Sequence, residues 1–244
     1  MNIIASDFDG TLFRGGVSEE DKEAIARWRA AGNLFGIVTG RLYLDALFIL
    51  QQGVAPDFLI NGNGSAILSA DGSIIERVGA DAALLPEIAR TSREMGAFML
   101  TTAGETAQIW ADYRKDDCEE QLAEAYAFGK FQQVTLCFPT GEQAQAYEDF
   151  IREQYGSLLN PMRNSNNVDI PPVGVDKTDG IRRYIRMRGL TPEHVYTVGD
   201  NLNDLAMITA FEGFAMAGGR EEPKAAAPMG VVESIADMIR RIMA

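Results

Sequence analysis

Four aspartates occur as two pairs, and each pair follows a short apolar run. Asp7 and Asp9 come directly after a run near the N-terminus, and Asp200 and Asp204 follow a similar run near the C-terminus. Carboxylates brought together from two strand ends repel one another unless a cation lies between them. Oxygen ligands of this kind suit Mg²⁺, which takes few protein carboxylates and keeps several waters. The spacing therefore predicts a magnesium site built from both pairs.

Groups that bind anions occupy comparable places in the chain. Thr39 and Gly40 follow a third apolar run, and Lys177 opens a predicted helix. A hydroxyl group, free backbone N–H groups and an ammonium group together can hold a phosphoryl group. Taken singly, each motif has an ordinary explanation as a turn, a helix cap or a solvated lysine. Their combination favours phosphate chemistry.

These polar groups need a sheet that gathers them at one edge. Short apolar runs alternate with helical segments at both ends of the chain, which implies a parallel sheet with right-handed crossovers and helices on both faces. In such sheets the site lies beyond the carboxyl ends of the strands. The predicted fold class is therefore α/β, with a Rossmann-like parallel-sheet core. Its strands are expected at residues 2–6, 34–38, 58–61, 194–198 and 213–216, and its helices at 18–30, 42–52, 177–188, 202–210 and 234–243.

The middle of the chain lacks this regular order and reads as a separate α+β module. An insertion returns the chain close to the point where it left. We therefore expect a catalytic core made of residues 1–80 and 170–244, with an inserted cap domain of residues 81–169. The predicted elements of the insertion are helices at 81–95, 117–128 and 142–155 and strands near 97–101, 108–111 and 132–138.

The overall charge limits the partners that the protein can have. The formal net charge is −13, and the 22 Lys and Arg residues are scattered rather than clustered. Nucleic acid and anionic membrane surfaces require a basic footprint, so neither is an expected partner. No apolar run reaches the roughly 18 residues of a membrane span, and no signal peptide is recognised. A cytoplasmic location is expected.

At the residues that carry this chemistry, the sequence resembles the haloacid dehalogenase superfamily in its phosphatase branch. DFDGTL at 7–12 matches the first signature, TGR at 39–41 the second, Lys177 the third and GDNLND at 199–204 the fourth. The insertion is similar in position and element order to the larger α/β cap of the Cof-type subfamily. The resemblance covers the core, and it implies a magnesium-dependent phosphatase whose cap determines the substrate.

The resemblance implies a role for each aspartate. Asp7 would attack phosphorus and form an aspartyl-phosphate, and Asp9 would protonate the leaving group and then activate water. The carboxylates of Asp7 and Asp200 and the backbone carbonyl of Asp9 would hold Mg²⁺. Asp204 would be a further metal ligand or would support the ligands.

The resemblance also implies how the phosphate is held. The Thr39 hydroxyl and the backbone N–H of Gly40 would bind phosphate oxygens. Lys177 would neutralise charge on Asp7 and on the transferring phosphoryl group, and Asn203 would add a hydrogen bond. Positioning and electrostatics dominate phosphoryl transfer, so this small set is sufficient.

Other polar and aromatic residues receive plainer predictions. Cof-type relatives carry a Met-x-Asn-Ala turn after the fifth strand, whereas this chain has MAGGR at 216–220, which puts the role of that loop in doubt. Trp28 and Trp110 are predicted to be packing residues. Arg114-Lys115 and Arg163-Asn164 are assigned to a solvated face of the cap, with contact to a substrate as the alternative.

Three functions remain open on the sequence alone. The first is hydrolysis of a small phosphorylated metabolite, with sugar phosphates preferred and phosphoglycolate, glycosyl-phosphoglycerate and nucleotide-like phosphates as alternatives. The second is a phosphomutase, which returns the phosphoryl group to another hydroxyl. The third is a catalytically silent protein that binds sugar phosphates as a regulator. Neither the physiological substrate nor the oligomeric state follows from the sequence.

Overall fold

The computed structural model describes residues 1–244 as two β-sheets covered by helices, with a third, short ribbon of two strands. The strands, in chain order, are β1 (Ile3–Ser6), β2 (Leu34–Val38), β3 (Phe58–Asn61), β4 (Ala66–Ser69), β5 (Ile74–Arg77), β6 (Ala80–Asp81), β7 (Met99–Ala103), β8 (Gln108–Asp112), β9 (Lys130–Phe131), β10 (Val134–Cys137), β11 (Met162–Asn164), β12 (Asn167–Ile170), β13 (Val195–Gly199), β14 (Glu212–Met216) and β15 (Val231–Val232).

Nine α-helices connect these strands, and four short 3₁₀ turns precede helices or close loops. The helices are α1 (Glu19–Ala30), α2 (Ala46–Leu50), α3 (Leu85–Glu94), α4 (Cys118–Tyr126), α5 (Gly141–Tyr155), α6 (Lys177–Met187), α7 (Leu205–Ala210), α8 (Glu221–Ala226) and α9 (Ile235–Ile242). The 3₁₀ turns are Tyr43–Asp45, Gly62–Gly64, Ala82–Leu84 and Leu202–Asp204. None of the helices is both long enough and apolar enough to cross a membrane.

The larger sheet has eight strands in the order β15-β14-β13-β1-β2-β3-β4-β5. The strands from β15 to β3 run parallel, and β4 and β5 form an antiparallel hairpin at one edge. The predicted α/β class with a parallel-sheet core is thereby confirmed. Strand β1 lies in the middle of the sheet and is buried along its whole length, which agrees with its largely apolar sequence, since a strand covered on both faces carries a near-continuous apolar run.

Alternate side chains of β1 pack on opposite faces of this sheet. Ile4 belongs to a large apolar cluster that includes Trp28 from α1. Ile3 and Ala5 belong to a smaller cluster on the other face, which includes Ile181 from α6. Because successive side chains of a strand point to opposite faces, these two clusters fix β1, and with it the residue that follows β1, from both sides.

The second sheet has five strands in the order β11-β12-β10-β7-β8, all antiparallel to their neighbours. One of its faces contributes Leu100, Leu136 and Val168 to a separate apolar cluster that also contains residues of α3, α4 and α5. The opposite face carries polar side chains, as is common for antiparallel sheets. The division of the chain into a core (1–80 and 170–244) and a cap (81–169) stays a prediction.

Some element boundaries differ from those predicted. The segments 42–52 and 202–210 were each expected to be one helix, but each begins as a 3₁₀ turn before its α-helix. The strand expected at 97–101 lies at Met99–Ala103. Helix α8 and strand β15 were not predicted, because both are too short for a periodic pattern to emerge. The prediction that Trp28 packs in a core is confirmed, since this side chain is buried.

Gly36 offers a test of how tightly the strands that carry the site are packed. A Cβ atom at this position would collide with the ring of Phe58 on the neighbouring strand β3, and that ring is itself stacked on Tyr184. We expect Gly36→Ala to lower the free energy of unfolding by about 1–3 kcal/mol through overpacking. Urea denaturation measures this loss.

Gly129→Ala is the matched control, because a Cβ atom there would meet no neighbour within 4 Å. If both alanine variants unfold at the same urea concentration as the unmodified chain, the packing argument for Gly36 is wrong.

Candidate active site

The polar groups singled out in the sequence lie at one edge of the larger sheet. Strand β1 pairs with β13 on one side and with β2 on the other, all in parallel, so their carboxyl ends are neighbours. Asp7 follows β1, Thr39 follows β2 and Asp200 follows β13. These three residues, together with Asp9 and Asn203, line one cavity of about 490 Å³.

Lys177 lies beneath this cavity and joins two of the aspartates. Its side chain is fully buried, and its Nζ donates hydrogen bonds to Oδ1 of Asp7 at 2.6 Å and to Oδ1 of Asp204 at 2.5 Å. Burial acts to lower the pKa of Lys177, but the negative charges of Asp204 and Asp7 outweigh it, and the pKa is raised above its usual value. The lysine therefore remains an ammonium ion within the protein.

Helix α6 places this lysine. Asp176 caps the helix by accepting a hydrogen bond from the N–H of Asp179 at 2.7 Å, and Lys177 is the first helical residue. Gly180, one turn further on, lets the helix approach the turn Gly62–Gly64, since a Cβ atom there would lie 2.7 Å from Ile60 and 3.0 Å from Gly64. The start of α6 is thus held directly against the sheet edge.

The aspartates carry more negative charge than the lysine neutralises. Burial raises the pKa of Asp7 well above its usual value, and the nearby charge of Asp204 raises it further, while Lys177 opposes both. Burial and Asp204 also raise the pKa of Asp200. One oxygen from each of Asp7, Asp200 and Asp204 lies within 4.8 Å of the others. The cluster could therefore hold a metal ion, and its all-oxygen donors fit a hard divalent cation.

Asp204 differs from the other two because both of its oxygens already have partners. Oδ1 accepts from Lys177, and Oδ2 accepts the backbone N–H groups of Asp200 at 2.9 Å and Asn201 at 3.0 Å. A Cβ atom on Gly199 would collide with the Asp204 carboxylate. The Asp204 carboxylate thus fixes the backbone of the loop that carries Asp200. The absence of a side chain at Gly199 leaves room for this carboxylate.

Two residues of the DFDGTL segment contact the carboxylate of Asp200. The Thr11 hydroxyl donates to Oδ1 of Asp200 at 3.1 Å. Gly10 has φ +82°, and a Cβ atom there would lie 2.5 Å from Oδ2 of Asp200. Both the left-handed backbone and the missing side chain are needed at this position.

Of the two glycines that depart from the expected Met-x-Asn-Ala turn, Gly219 also lies against Asp200, whereas a Cβ atom on Gly218 would meet no neighbour within 4 Å. A Cβ atom on Gly219 would be 2.7 Å from the backbone oxygen of Asp200. The N–H of Arg220 donates to that same oxygen at 2.8 Å. The loop at 216–220 therefore supports the backbone of Asp200, and the Arg220 side chain pairs instead with Glu222.

Asp9 forms an ion pair that sequence reasoning missed. Nε and Nη2 of Arg41 donate to its two carboxylate oxygens at 2.7 and 2.8 Å, and the same guanidinium lies over the ring of Phe48, 4.8 Å from its centroid. Both side chains line the cavity, with Arg41 33% and Asp9 47% exposed. The only signal of this pair in the sequence was the position of Arg41 directly after Thr39-Gly40.

Hydrogen bonds tie the proposed phosphate-binding residues to the second sheet. Gln133 donates from Nε2 to the carbonyl of Gly40 at 3.0 Å. Asn203 donates to Oδ1 of Asn63 at 3.1 Å, and Asn63 donates in turn to Gln133 at 2.9 Å and to Asp169 at 3.0 Å. All the side chains in this network are buried. The two sheets are therefore joined directly beside the cavity.

Several residues of the second sheet line the cavity although the sequence did not identify them. Trp110 is one, and the prediction that it is a packing residue is wrong, because it is 53% exposed and faces the cavity. Of the residues considered for substrate contact, Asn164 lines the cavity, whereas Arg114 pairs with Asp112 outside it. Asp169 also lines the cavity, and no motif in the sequence marked it.

Comparisons with known proteins agree with this architecture. The chain matches the family described as haloacid dehalogenase-like hydrolase over residues 4–237. It is 24% identical over 225 residues to a 5-amino-6-(5-phospho-D-ribitylamino)uracil phosphatase of Bacillus subtilis, covering 85% of this chain and 80% of the relative. It is 25% identical over 222 residues to an HMP-PP phosphatase of Yersinia enterocolitica, again covering 85% and 80%.

Solved structures share the fold across the whole chain. A haloacid dehalogenase-like hydrolase from B. subtilis has a TM-score of 0.83 at 20% identity, with 99% of this chain and 100% of that chain covered. A sugar phosphatase of HAD subclass IIB has a TM-score of 0.81 at 20% identity, with 100% and 98% covered.

Removal of the buried lysine should expose how much the aspartate cluster depends on it. In Lys177→Met, Asp7 and Asp204 are left buried without their cation, and breaking a buried ion pair on one side costs about 3–5 kcal/mol. We expect a loss of this size in the free energy of unfolding at neutral pH, measured by urea denaturation in the presence of a chelator.

Lys22→Met is the control, since Lys22 forms only a surface pair with Glu19 and such pairs contribute little. Equal stabilities of the two methionine variants would contradict the central role of Lys177.

Proposed function

The chain belongs to the family of haloacid dehalogenase-like hydrolases, in its phosphatase branch, and we propose that it hydrolyses phosphate monoesters of small metabolites through an aspartyl-phosphate on Asp7. The observation that carries the proposal is the buried ammonium of Lys177, which bonds Asp7 and Asp204 at 2.6 and 2.5 Å beside the cavity. A buried carboxylate held in this way, at an edge that also presents hydroxyl and amide groups, suits attack on phosphorus.

In the first step an oxygen of Asp7 attacks the phosphorus atom, and the bond from phosphorus to the leaving oxygen breaks. Lys177 fixes the orientation of the Asp7 carboxylate and favours its ionised form against the effect of burial. Asp9 donates a proton to the leaving oxygen, so that an alcohol departs rather than an alkoxide. Since both oxygens of Asp9 are bonded to Arg41, at least one of these bonds must open for that transfer.

In the second step water replaces Asp7 on phosphorus. Asp9 accepts the proton of the water molecule, the new oxygen–phosphorus bond forms, and the bond between phosphorus and Asp7 breaks. Inorganic phosphate leaves and the Asp7 carboxylate is restored. The donors proposed to hold the phosphoryl oxygens are the Thr39 hydroxyl, the N–H of Gly40, Lys177 and the amide of Asn203, all of which lie at or directly beneath the cavity.

The metal proposed for this site is Mg²⁺. The carboxylates of Asp7 and Asp200 and the backbone carbonyl of Asp9 would hold it, whereas Asp204, whose oxygens are bonded to Lys177 and two backbone N–H groups, would support them. When bound, the ion supplies positive charge that offsets the carboxylates and the phosphoryl oxygens. This positive charge also accounts for how a chain of net charge −13 can bind an anion.

The substrate is proposed to be a small phosphorylated metabolite, with a sugar phosphate preferred. Two relatives are named as phosphatases of a phosphoribitylamino-uracil and of HMP-PP, and one structural neighbour as a sugar phosphatase. The proposed cap, residues 81–169, would choose among such substrates, because its sheet supplies one wall of the cavity above Asp7.

Substitution of the nucleophile gives the direct test. We expect Asp7→Asn to abolish the release of phosphate in a screen of phosphorylated metabolites with Mg²⁺, because the amide cannot form the acyl phosphate. Asp9→Asn should lower kcat by about 10²–10⁴-fold through loss of the proton donor. Asp116→Asn, at an exposed position of the chain, is the control, and turnover retained by Asp7→Asn would contradict the proposal.

Magnesium should stabilise the folded protein through the same cluster. A ligand at 100 times its Kd stabilises by about 2.7 kcal/mol, so a thermal scan should show Tm several degrees higher with Mg²⁺ than with a chelator. Asp200→Asn should remove this difference, because the binding set loses a charge, whereas Asp116→Asn should keep it. An unchanged Mg²⁺ effect in Asp200→Asn would show that the ion binds elsewhere.

Turnover in ¹⁸O-labelled water separates hydrolysis from phosphoryl transfer within one substrate. Hydrolysis places one solvent oxygen in each phosphate released, since water attacks phosphorus in the second step. A phosphomutase would instead accumulate an isomeric phosphate ester and release little inorganic phosphate. The measurement is the mass distribution of the phosphate together with chromatography of the esters.

A further inference from the structure

One wall of the cavity is formed by one face of the five-stranded sheet. In the register of that sheet Thr101 lies opposite Trp110 on β8 and opposite Thr135 on β10, and Thr135 lies opposite Asp169 on β12. Directly opposed residues share a face, and all four line the cavity with Asp7. We call this surface the polar wall; Gln108 and Asn167 also belong to it.

The polar wall contains no lysine, arginine or histidine among the residues that line the cavity. The only cationic side chain lining the cavity is Arg41, from the opposite side, and its guanidinium is held by both oxygens of Asp9 and by the ring of Phe48. A second anionic group on a substrate would therefore meet no cation lining the cavity other than Arg41, whose charge is already paired with Asp9.

The wall also carries a negative group of its own. Asp169 is buried, and its hydrogen-bond partners are all neutral: Thr135 at 2.7 Å, Asn63 at 3.0 Å and Gln133 at 3.5 Å. Asp45 lines the same cavity from the core side. Charges of like sign repel strongly where water is scarce, so these carboxylates oppose an anionic leaving group and accept hydrogen bonds from hydroxyl or amino groups.

Trp110 gives the wall one large apolar surface among polar groups. Its side chain stands 53% exposed within the cavity, although an indole of this size is normally covered in a folded protein. Indole rings bind flat or C–H-rich faces of ligands and contribute through burial and through their ring faces. An exposed ring beside hydroxyl and amide groups suits a polyhydroxylated or heterocyclic leaving group.

We propose that the polar wall determines specificity by selecting phosphate monoesters whose leaving group bears hydroxyl or amino groups and no second phosphate or carboxylate. Asp169 repels a leaving group that carries such a second anionic group, and Trp110 packs on the leaving group that binds. This inference rests on the proposed function and narrows it. Phosphoglycolate, glycosyl-phosphoglycerates and bisphosphates are thereby excluded as good substrates, and neutral sugar and polyol phosphates are retained.

Matched pairs of substrates test this selection. The pairs are glucose 6-phosphate with 6-phosphogluconate, fructose 6-phosphate with fructose 1,6-bisphosphate, and glycerol 3-phosphate with 3-phosphoglycerate, and glucosamine 6-phosphate adds an amino group. In each pair we expect kcat/KM to be at least about tenfold higher for the ester whose leaving group is uncharged. A tenfold ratio corresponds to about 1.4 kcal/mol, which we assign to one unfavourable charge contact. Glucosamine 6-phosphate should match or exceed glucose 6-phosphate.

The failure of the inference can be told apart from the failure of the proposed function. p-Nitrophenyl phosphate has no second anionic group and serves as the common reference. If neither it nor any other ester is hydrolysed in an Asp7-dependent manner, the proposed function is wrong, and this inference falls with it. If esters are hydrolysed but those with an anionic leaving group react as fast as those with an uncharged leaving group, only the inference is overturned.

Asp169→Asn removes the charge while it keeps the shape, and the Thr135 hydroxyl can turn to accept from the new amide. We expect the preference for glucose 6-phosphate over 6-phosphogluconate to fall by about tenfold. Asp112→Asn is the matched control, since it lies on the same sheet, bonded to Arg114 and outside the cavity. Equal preferences in the two asparagine variants would overturn the role of Asp169.

Two further variants keep the test decisive if Asp169→Asn does not fold. Asn167→Lys adds a cation to the wall at a partly exposed side chain and should raise kcat/KM for 6-phosphogluconate relative to glucose 6-phosphate. Trp110→Ala should raise KM for sugar phosphates with a smaller change in kcat, because packing on the leaving group precedes the chemistry. An unchanged preference in Asn167→Lys, or an unchanged KM in Trp110→Ala, would contradict the proposal.

Discussion

The buried ion pairs of Lys177 are the interaction on which the rest of the site depends. They join the end of β1, the start of α6 and the loop after β13, segments that lie 170 and 27 residues apart in sequence. An ammonium ion without water around it requires partners, and aspartates crowded at a sheet edge require a cation. Each group therefore makes the burial of the other possible. Lys177 does not neutralise all the negative charge of Asp7, Asp200 and Asp204, and this excess favours binding of a metal ion at the cluster.

The two sheets contribute different groups to the cavity, because the first is covered on both faces and the second on one face only. The parallel sheet is covered on both faces, so its polar groups appear only where strands end, and this concentrates Asp7, Thr39 and Asp200 at one edge. The antiparallel sheet is covered on one face only, so its other face is free to carry hydroxyls, amides and Asp169. The network of Gln133, Asn63 and Asn203 joins this edge to that face, so that residues of both sheets line one cavity.

The fold and the residues of the catalytic edge could be predicted to a large extent. Apolar runs of strand length gave the central strands within about two residues, the usual uncertainty of element ends. Aspartates, a threonine and a lysine placed directly after such runs pointed to one edge. Short elements such as α8 and β15 escaped because a few residues carry no period. The ion pair of Arg41 with Asp9 was not predicted, because these residues lie 32 positions apart and nothing in the sequence indicates that they meet.

The sequence by itself determined the family, the order of the elements and the acid–lysine chemistry, since these are properties of local runs and of signature residues that the chain carries in a fixed order. Only the tertiary structure decided that Asp204 is saturated by Lys177 and two backbone N–H groups, that Trp110 faces a cavity rather than a core, and that Asp169 stands on the wall above Asp7. The physical reason is that a strand residue can point to either face of its sheet. Which face is covered depends on helices and loops far away in sequence, so the wall that meets the substrate is a product of packing between the two sheets.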